Sequence, residues 1–265
     1  MKLRISHTTT YLYDSPMSYG LQQVRLTPVT DRHQTVLSWD MAVAGGTQEL
    51  TNVDQYQNHC TLIQVHGGAS EISLTVSGEV ETHCSDGIYG KVYGAAPLWH
   101  FCQSTPRTRP GPGIVELSRT LTNSAGDLSE LHQLSEQILT AVPYGAVPTD
   151  VTTSAEAALS GGGGVCQDHA QIFIAAARHA GIPARYVSGY LMMDDRIDQD
   201  ASHAWAEVHV DGLGWVAFDV SNSISPDERY VRLAVGRDST DAAPVSGMRM
   251  GSAHETMKVS LQVQQ

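Results

Sequence analysis

The amino-acid sequence predicts an α+β fold, in which an N-terminal antiparallel β-sandwich precedes a second domain of helices and antiparallel strands. Short segments that alternate apolar and polar residues fill the first part of the chain. Two segments with helical spacing come next, and alternating segments return after them. A stretch rich in proline and glycine follows the first part. We therefore divide the chain into a sandwich at residues 1–95, a linker at 96–113 and a second domain at 114–265.

The predicted sandwich consists of five segments, which are separated by Gly, Pro, Asn or Asp. Their sequences are LRISHTTTYLY, LQQVRLTPV, TVLSWDMAVA, CTLIQVHG and EISLTVSGEVET. Several short strands at about ten-residue spacing are typical of a β-sandwich. In the fifth segment, Ile72, Leu74 and Val76 share one face, and serine and threonine occupy the other. This alternation predicts a strand with one buried face.

Helical signals begin after the segment QSTPRTRPGPG (103–113), whose prolines and glycines are typical of a loop or linker. In DLSELHQLSEQILTAV, leucine and isoleucine recur at helical spacing, which predicts a helix that begins after Asp127. Asp127 is a suitable N-cap, and Glu130 stands three residues later, as in a capping box. Pro143 ends the helix.

Four glycines lead into a cysteine in the segment GGGGVCQDHAQI (161–172). A second helix is predicted over about residues 165–180, and Gly181 is suited to the left-handed position that follows a helix. Cys166 then lies in the first turn, where backbone N–H groups are unpaired and the helix dipole is positive. The glycines leave room for a substrate chain beside the sulfur. We expect Asp168 to cap or pair locally and His169 to pack.

Alternating segments follow this helix: ARYVSGYLM, SHAWAEVHV and GWVAFDV, with HETMKVSLQVQQ near the C-terminus. Asp211 and Gly212 form a tight-turn signal between the second and third of these segments, which predicts a hairpin. Paired strands lie about 4.8 Å apart. His203 and Asp219 can therefore be close neighbours on one face, although the register depends on the turn.

These positions predict a nucleophilic triad. A thiolate at a helix N-terminus is stabilised by the partial positive charge there, which suits Cys166 for attack. His203 would move the proton, and Asp219 would fix the imidazole tautomer and stabilise its charged form. The backbone N–H of Cys166 could bind the oxyanion of a tetrahedral intermediate. Tyr144, in a PYG turn, is a weaker candidate for a second contact to the substrate.

Two other interpretations concern residues beside His203. The imidazoles and carboxylate of His203, Glu207 and His209 share one strand face and could form a metal site. The cysteine explains His203 better, so we expect neither a metal nor a cofactor. Trp205 is expected in the core or in the cleft wall, where it is a second candidate for contact with the substrate.

Composition limits the partners and the compartment. The formal net charge is −12, which disfavours binding to nucleic acid or to an anionic membrane. The N-terminus lacks a long apolar run, and no apolar stretch is long enough to span a membrane. The four cysteines are widely spaced and form no CxxC pair, so neither a zinc site nor a disulfide framework is indicated. We therefore expect a cytoplasmic protein.

Several motifs resemble the core of bacterial transglutaminase-like proteins. They are GVCQDHA, GIPARYVSGYL, HAWAEV, GLGWVAFD and AVGRDSTDAAPVSG. The N-terminal segment ISHTTTYLYDSPMSYGLQQVRLTP resembles the β-sandwich that precedes that core in the same family. The resemblance extends from about residue 3 to residue 262, nearly the whole chain. It implies a papain-like fold, and the family's Cys-His-Asp triad corresponds to Cys166, His203 and Asp219.

Two departures from the family pattern are visible. The chain has FDVSN where the family commonly has FDPTN, and the loss of a proline at Val220 predicts a less rigidly held Asp219. In the sandwich, Gln57 precedes Asn58 where a glycine is usual. The second departure concerns a turn and not the chemistry.

The function expected from the residues and the resemblance is hydrolysis of peptide or amide bonds through a thioester acyl-enzyme. A transglutaminase-type transfer of the acyl group to an amine is an alternative, because both reactions share that intermediate. A third alternative is an inactive module that binds peptides. The sequence leaves the substrate, the choice between endo and exo cleavage and the oligomeric state open.

Overall fold

The computed structural model describes residues 1–91, 96–145, 147–250 and 254–265. The strands are β1 (Lys2–Tyr13), β2 (Tyr19–Thr27), β3 (Gln34–Ala44), β4 (Gly46–Val53), β5 (His59–Val65), β6 (Glu71–Thr82), β7 (Ile88–Gly90), β8 (Ala184–Leu191), β9 (Asp198–Gln199), β10 (His203–Val210), β11 (Gly214–Phe218), β12 (Tyr230–Gly236), β13 (Val245–Met250) and β14 (Glu255–Gln264). The helices are α1 (Pro112–Ser118), α2 (Leu128–Ala141), α3 (Ala155–Gly161) and α4 (Cys166–His179), with a 3₁₀ helix at Leu98–Cys102. The predicted α+β class is confirmed.

Two antiparallel sheets form the sandwich, with strand orders β3-β6-β1-β14-β9 and β13-β2-β5-β4. Their inner faces bury one shared apolar core, in which the alternation of each strand directs every second side chain inward. Ile72, Leu74 and Val76 lie in this core, as their spacing predicts. The unusual turn residue Gln57 adopts a left-handed φ of 68°, which explains why glycine is usual there.

The C-terminal strands belong to the sandwich. Strand β14 pairs with β1 along almost the full length of both, and β13 pairs with β2. Conversely, the short strand β7, which precedes the predicted division, pairs with β11 of the third sheet. The sheets therefore do not follow the predicted division at residue 113, and the predicted boundary at residue 95 lies outside the described residues. Pairing partners are chosen by contacts that are distant in sequence, which the alternation of a strand does not reveal.

The third sheet has the order β12-β8-β10-β11-β7, and helices cover one of its faces. Helix α4 packs on β10 and also contacts the other three helices, so nearly all of its side chains are buried. Helix α2 begins at the predicted residue, and the Asp127 carboxylate accepts from Ser129 and Glu130 backbone N–H groups. Glu130 does not complete the capping box, because its carboxylate accepts from Thr122 instead.

No helix in the described ranges combines the length and the apolar character that crossing a membrane requires. The opposite face of the third sheet packs toward the sandwich, where Tyr190 and Val231 enter the sandwich core. The two sheet systems therefore share buried residues, and the third sheet is held between helices and sandwich.

Candidate active site

The glycine run positions the start of α4. Gly162 has a left-handed φ of 69° and ends α3. A side chain at Gly164 would place its Cβ 2.8 Å from the Cβ of Asp168, so only glycine fits there. The Asp168 carboxylate accepts from the Val165 backbone N–H at 2.9 Å and from the Thr149 hydroxyl at 2.6 Å. These contacts fix the first turn, in which Cys166 is the first helical residue.

The predicted hairpin of β10 and β11 is present, with Ala206 opposite Phe218. His203 is the first residue of β10, and Asp219 directly follows β11. In this register the two side chains lie diagonally across the pair on one face. The Nε2 atom of His203 is 2.7 Å from Oδ2 of Asp219, and both side chains are buried.

The structure also brings Cys166 to this imidazole. His203 uses Nε2 for Asp219, and the Cys166 side chain interacts with the same imidazole. Burial acts to lower the pKa of His203, but the hydrogen bonds and charges of Asp219 and Cys166 outweigh it and raise that pKa to about 10. The site therefore favours the imidazolium form of His203 beside the Asp219 carboxylate. Cys166 is buried, with 9% of its surface exposed.

Asp219 is held by more groups than the sequence predicts. Its Oδ2 atom accepts from the Tyr230 hydroxyl at 2.7 Å and from the Asn222 side-chain amide at 2.7 Å, in addition to His203. Its backbone N–H and carbonyl both pair with Ile224. Burial acts to raise the pKa of Asp219, yet these donors, with His203 first among them, lower it below its usual range. The side-chain donors and the backbone pair hold this carboxylate without the proline that the family commonly has.

Sequence reasoning missed Asn222 and Tyr230. Asn222 lies three residues after Asp219, and a short amide at that distance can reach the carboxylate of a turn. That spacing is a local signal that could have indicated its role. Tyr230 begins β12 and reaches Asp219 because β12 pairs with β8, which in turn pairs with β10. No local signal predicts such a contact.

The two weaker candidates for substrate contact lie in different surroundings. Tyr144 is 58% exposed. Tyr144 forms an isolated β-bridge with Gly164, two residues before Cys166, and burial of part of its ring raises the pKa of its phenol. Trp205 is only 1% exposed, and its ring packs 6.3 Å from His203 and 5.4 Å from Tyr230. Trp205 is therefore buried against the imidazole and the Tyr230 ring.

The residues considered for a metal site have other partners. Glu207 is fully buried and pairs with Arg185, and His209 packs edge-on against Trp215. Within the described part of the chain, no group of three or more His, Cys, Asp and Glu side chains is arranged to hold a metal ion. His169 is buried, with Nε2 bonded to the Val142 carbonyl and Nδ1 to the Ser221 hydroxyl. It thus connects α4 to the loop that follows Asp219.

Comparison with known proteins agrees with this architecture. Residues 115–220 match the transglutaminase-like superfamily, and residues 3–81 match the bacterial transglutaminase-like N-terminal region. The chain belongs to the transglutaminase-like superfamily. This membership supports an enzyme with cysteine-based catalysis in general.

Similar proteins extend over the whole length of this transglutaminase-like chain. An uncharacterised protein of Mycobacterium leprae is 26% identical over 99% of this chain and 98% of its own. An uncharacterised protein of Mycobacterium tuberculosis is 27% identical over 99% of this chain and 92% of its own. The crystal structure of a candidate cysteine protease from Cytophaga hutchinsonii has a TM-score of 0.76 and 22% identity, and covers 100% of this chain and 91% of that one. It shows the same fold.

Proposed function

We propose that this protein is a cysteine hydrolase that cleaves peptide or amide bonds through a thioester acyl-enzyme. The observation that supports this proposal most directly is the arrangement at one imidazole. His203 contacts the Cys166 side chain and, through Nε2, the Asp219 carboxylate at 2.7 Å. A nucleophile, a base and a group that orients the base are the parts that covalent acyl transfer needs.

In the first half of the reaction, the Cys166 thiolate attacks the carbonyl carbon and a C–S bond forms. The carbonyl electron pair moves to oxygen, and the backbone N–H of Cys166, in the first turn of α4, can donate to that oxyanion. The C–N bond then breaks as the oxyanion collapses. The His203 imidazolium donates its proton to the leaving amine, which leaves a thioester and a neutral imidazole.

In the second half, His203 accepts a proton from water as the water oxygen attacks the thioester. The C–S bond breaks, the carboxylic acid product departs, and the thiolate–imidazolium pair is restored. Asp219 stays charged throughout, because its donors favour the carboxylate, and it stabilises the imidazolium in each half. The exposed phenol of Tyr144, bridged to Gly164 before the nucleophile, supports a contact with the bound acyl chain.

A test of the acyl-enzyme uses p-nitrophenyl acetate, a small activated ester. We expect acetylation of Cys166, detected by peptide mass after acid quenching, and release of p-nitrophenol that continues as water hydrolyses the thioester. Cys166→Ala should lose both signals. Cys84→Ala is the matched control, because Cys84 is an exposed free thiol outside the site, and it should keep both.

The same assay separates hydrolysis from transfer. A primary amine such as glycine ethyl ester competes with water for the thioester. If the protein is a hydrolase, free acetate should be the main product. A hydrolase should also cleave a mixed set of unstructured peptides, which is a separate measurement. An N-acetyl conjugate in large excess over acetate would identify the acyltransferase instead. Absence of any acetyl group on Cys166, with the fold intact, would favour the inactive binding module.

A further inference from the structure

A cavity lies between the sandwich and the face of the third sheet that the helices leave uncovered. Its volume is about 350 Å³, at the lower end of the range for small-molecule pockets, which often form at domain interfaces. Val29 and Gln34 contribute to it from the sandwich side, Leu98 and Phe101 from the 3₁₀ helix, and Trp215 and Val235 from the third sheet.

The cavity is separate from the candidate active site. Two of its lining residues, Arg185 and Arg232, contact Glu207 on β10. Glu207 lies four residues along that strand from His203, which corresponds to about 13 Å at the rise of a β-strand. The buried rings of Trp205 and Tyr230 belong to the apolar cluster between the two positions.

Two arginines share one carboxylate oxygen beside this cavity. Arg185 Nε and Nη2 each lie 2.6 Å from Oε2 of Glu207, and Arg232 Nη2 lies 3.2 Å from the same oxygen. Asp31 is the other acidic group nearby, 3.9 Å from Arg232 Nη1, and its side chain is 31% exposed, so solvent weakens its effect. The buried set of two cations and one anion is therefore short of negative charge.

Donors of this arginine pair remain unused. Although Arg185 Nη2 is close to Glu207, its N–H bonds do not point at that oxygen, and the atom is buried without a hydrogen bond among the described residues. Arg232 Nε is likewise buried without a partner in the described ranges, and so is the acceptor Oε1 of Glu207 in the same cluster. Buried guanidinium donors are almost always satisfied. Burial also lowers the pKa of Arg185 to about 10, which the charge of Glu207 only partly offsets.

The rest of the cavity is suited to an apolar group. The Arg185 guanidinium stacks 3.9 Å from the centre of the Trp215 ring, and Phe101 packs edge-on against that ring at 5.2 Å. Leu98 and Val235 extend the apolar wall. A flat apolar group beside these rings would bury its surface and stack on them.

We propose that this cavity binds a small organic acid whose carboxylate pairs with Arg185 and Arg232 and whose aromatic or branched apolar group lies against Phe101, Leu98 and Val235. A carboxylate offers two oxygens in the plane that guanidinium forks recognise. The volume limits the ligand to a molecule about the size of one amino acid. The inference does not depend on the reaction at Cys166.

The test measures binding of three probes to the whole protein by isothermal titration calorimetry. Phenylacetate carries both features, phenylacetamide replaces the charge with a neutral amide, and inorganic phosphate is an anion without an apolar group. We expect phenylacetate to bind at least about tenfold more tightly than either comparison probe. Equal binding of acid and amide, equal binding of phosphate, or no binding of phenylacetate would overturn the proposal.

Variants locate the binding. Leu98→Trp should fill the cavity and abolish binding of phenylacetate, because Leu98 lines it while keeping 42% of its surface exposed. Leu50→Trp is the matched control at an exposed position on β4, outside the cavity lining, and should bind as the wild type does. Arg232→Gln should weaken binding at least about tenfold. Unchanged binding in both Leu98→Trp and Arg232→Gln would place the probe elsewhere.

Discussion

Tyr230 donates its hydroxyl hydrogen to Oδ2 of Asp219 at 2.7 Å, the same oxygen that accepts from His203. Burial and the negative charge of Asp219 raise the pKa of Tyr230 strongly, so the phenol stays a donor at any physiological pH. The carboxylate that orients His203 is thus itself oriented from β12. Tyr230 is a positioning residue, because it acts through Asp219.

Tyr230→Phe should therefore weaken catalysis without abolishing it. A hydrogen bond to a charged group contributes about 1.5–3 kcal/mol, and we expect roughly a tenfold loss in the acetylation rate of Cys166, or about 1.4 kcal/mol. Loss of a donor also raises the pKa of Asp219, so activity should begin to fall at a higher pH on the acid side. The pH profile of p-nitrophenol release checks this shift. Tyr19→Phe, in the sandwich strand β2, should leave the profile unchanged.

Alkylation of Cys166 should depend on His203 across a wide pH range. Because the pKa of His203 is about 10, the imidazolium that stabilises a neighbouring thiolate persists through neutral pH. Wild-type Cys166 should react with iodoacetamide at a nearly constant rate from about pH 6 to 9. In His203→Ala, the rate should instead rise with pH and report an ordinary cysteine pKa near 8.5. Peptide mass identifies the thiol, and exposed Cys84 is the internal reference. Identical profiles in both proteins would exclude the thiolate–imidazolium pair.

The carboxylate of Asp219 should stabilise the fold above acidic pH. Its pKa is lower in the folded protein than in the unfolded chain, so the folded state binds fewer protons in that window and stability falls as pH falls. The free-energy advantage of the wild type over Asp219→Asn should be complete above about pH 4 and shrink below it, since an unfolded aspartate titrates near 3.9. Urea unfolding at several pH values measures the advantage. If the free-energy advantage does not vary with pH, the charge of the Asp219 carboxylate does not stabilise the fold.

The C-terminal strand should be essential to the sandwich. Leu261 on β14 is 1% exposed in the sandwich core, and β14 lies between β1 and β9. Leu261→Ala should lower the free energy of unfolding by about 2–5 kcal/mol, because it leaves a cavity in a packed core. Met257→Ala on the same strand is the control, since Met257 is exposed, and should change stability by less than about 0.5 kcal/mol. Equal effects in chemical denaturation would contradict this role for β14.

Much of the candidate site could be predicted from short-range patterns. The helix that begins at Cys166 follows from its glycine approach and apolar stripe, and the hairpin follows from alternation around a turn. The hairpin places His203 and Asp219 near each other, whereas the approach of Cys166 to His203 depends on how α4 packs on β10. The surroundings of Glu207 could not be predicted in this way. Strand alternation places it on the face of His203, but its pairing with Arg185 and Arg232 depends on the order of β12, β8 and β10 in the third sheet.

The sequence by itself determined the helix start at the cysteine and the face shared by His203 and Asp219, because these depend on residues close together along the chain. Only the tertiary structure decided that β13 and β14 complete the sandwich, that Tyr230 holds Asp219, and that two arginines border the cavity beside the sandwich. Each of these features joins segments that are far apart in sequence. Their pairing depends on how whole apolar faces pack, which residue spacing does not encode.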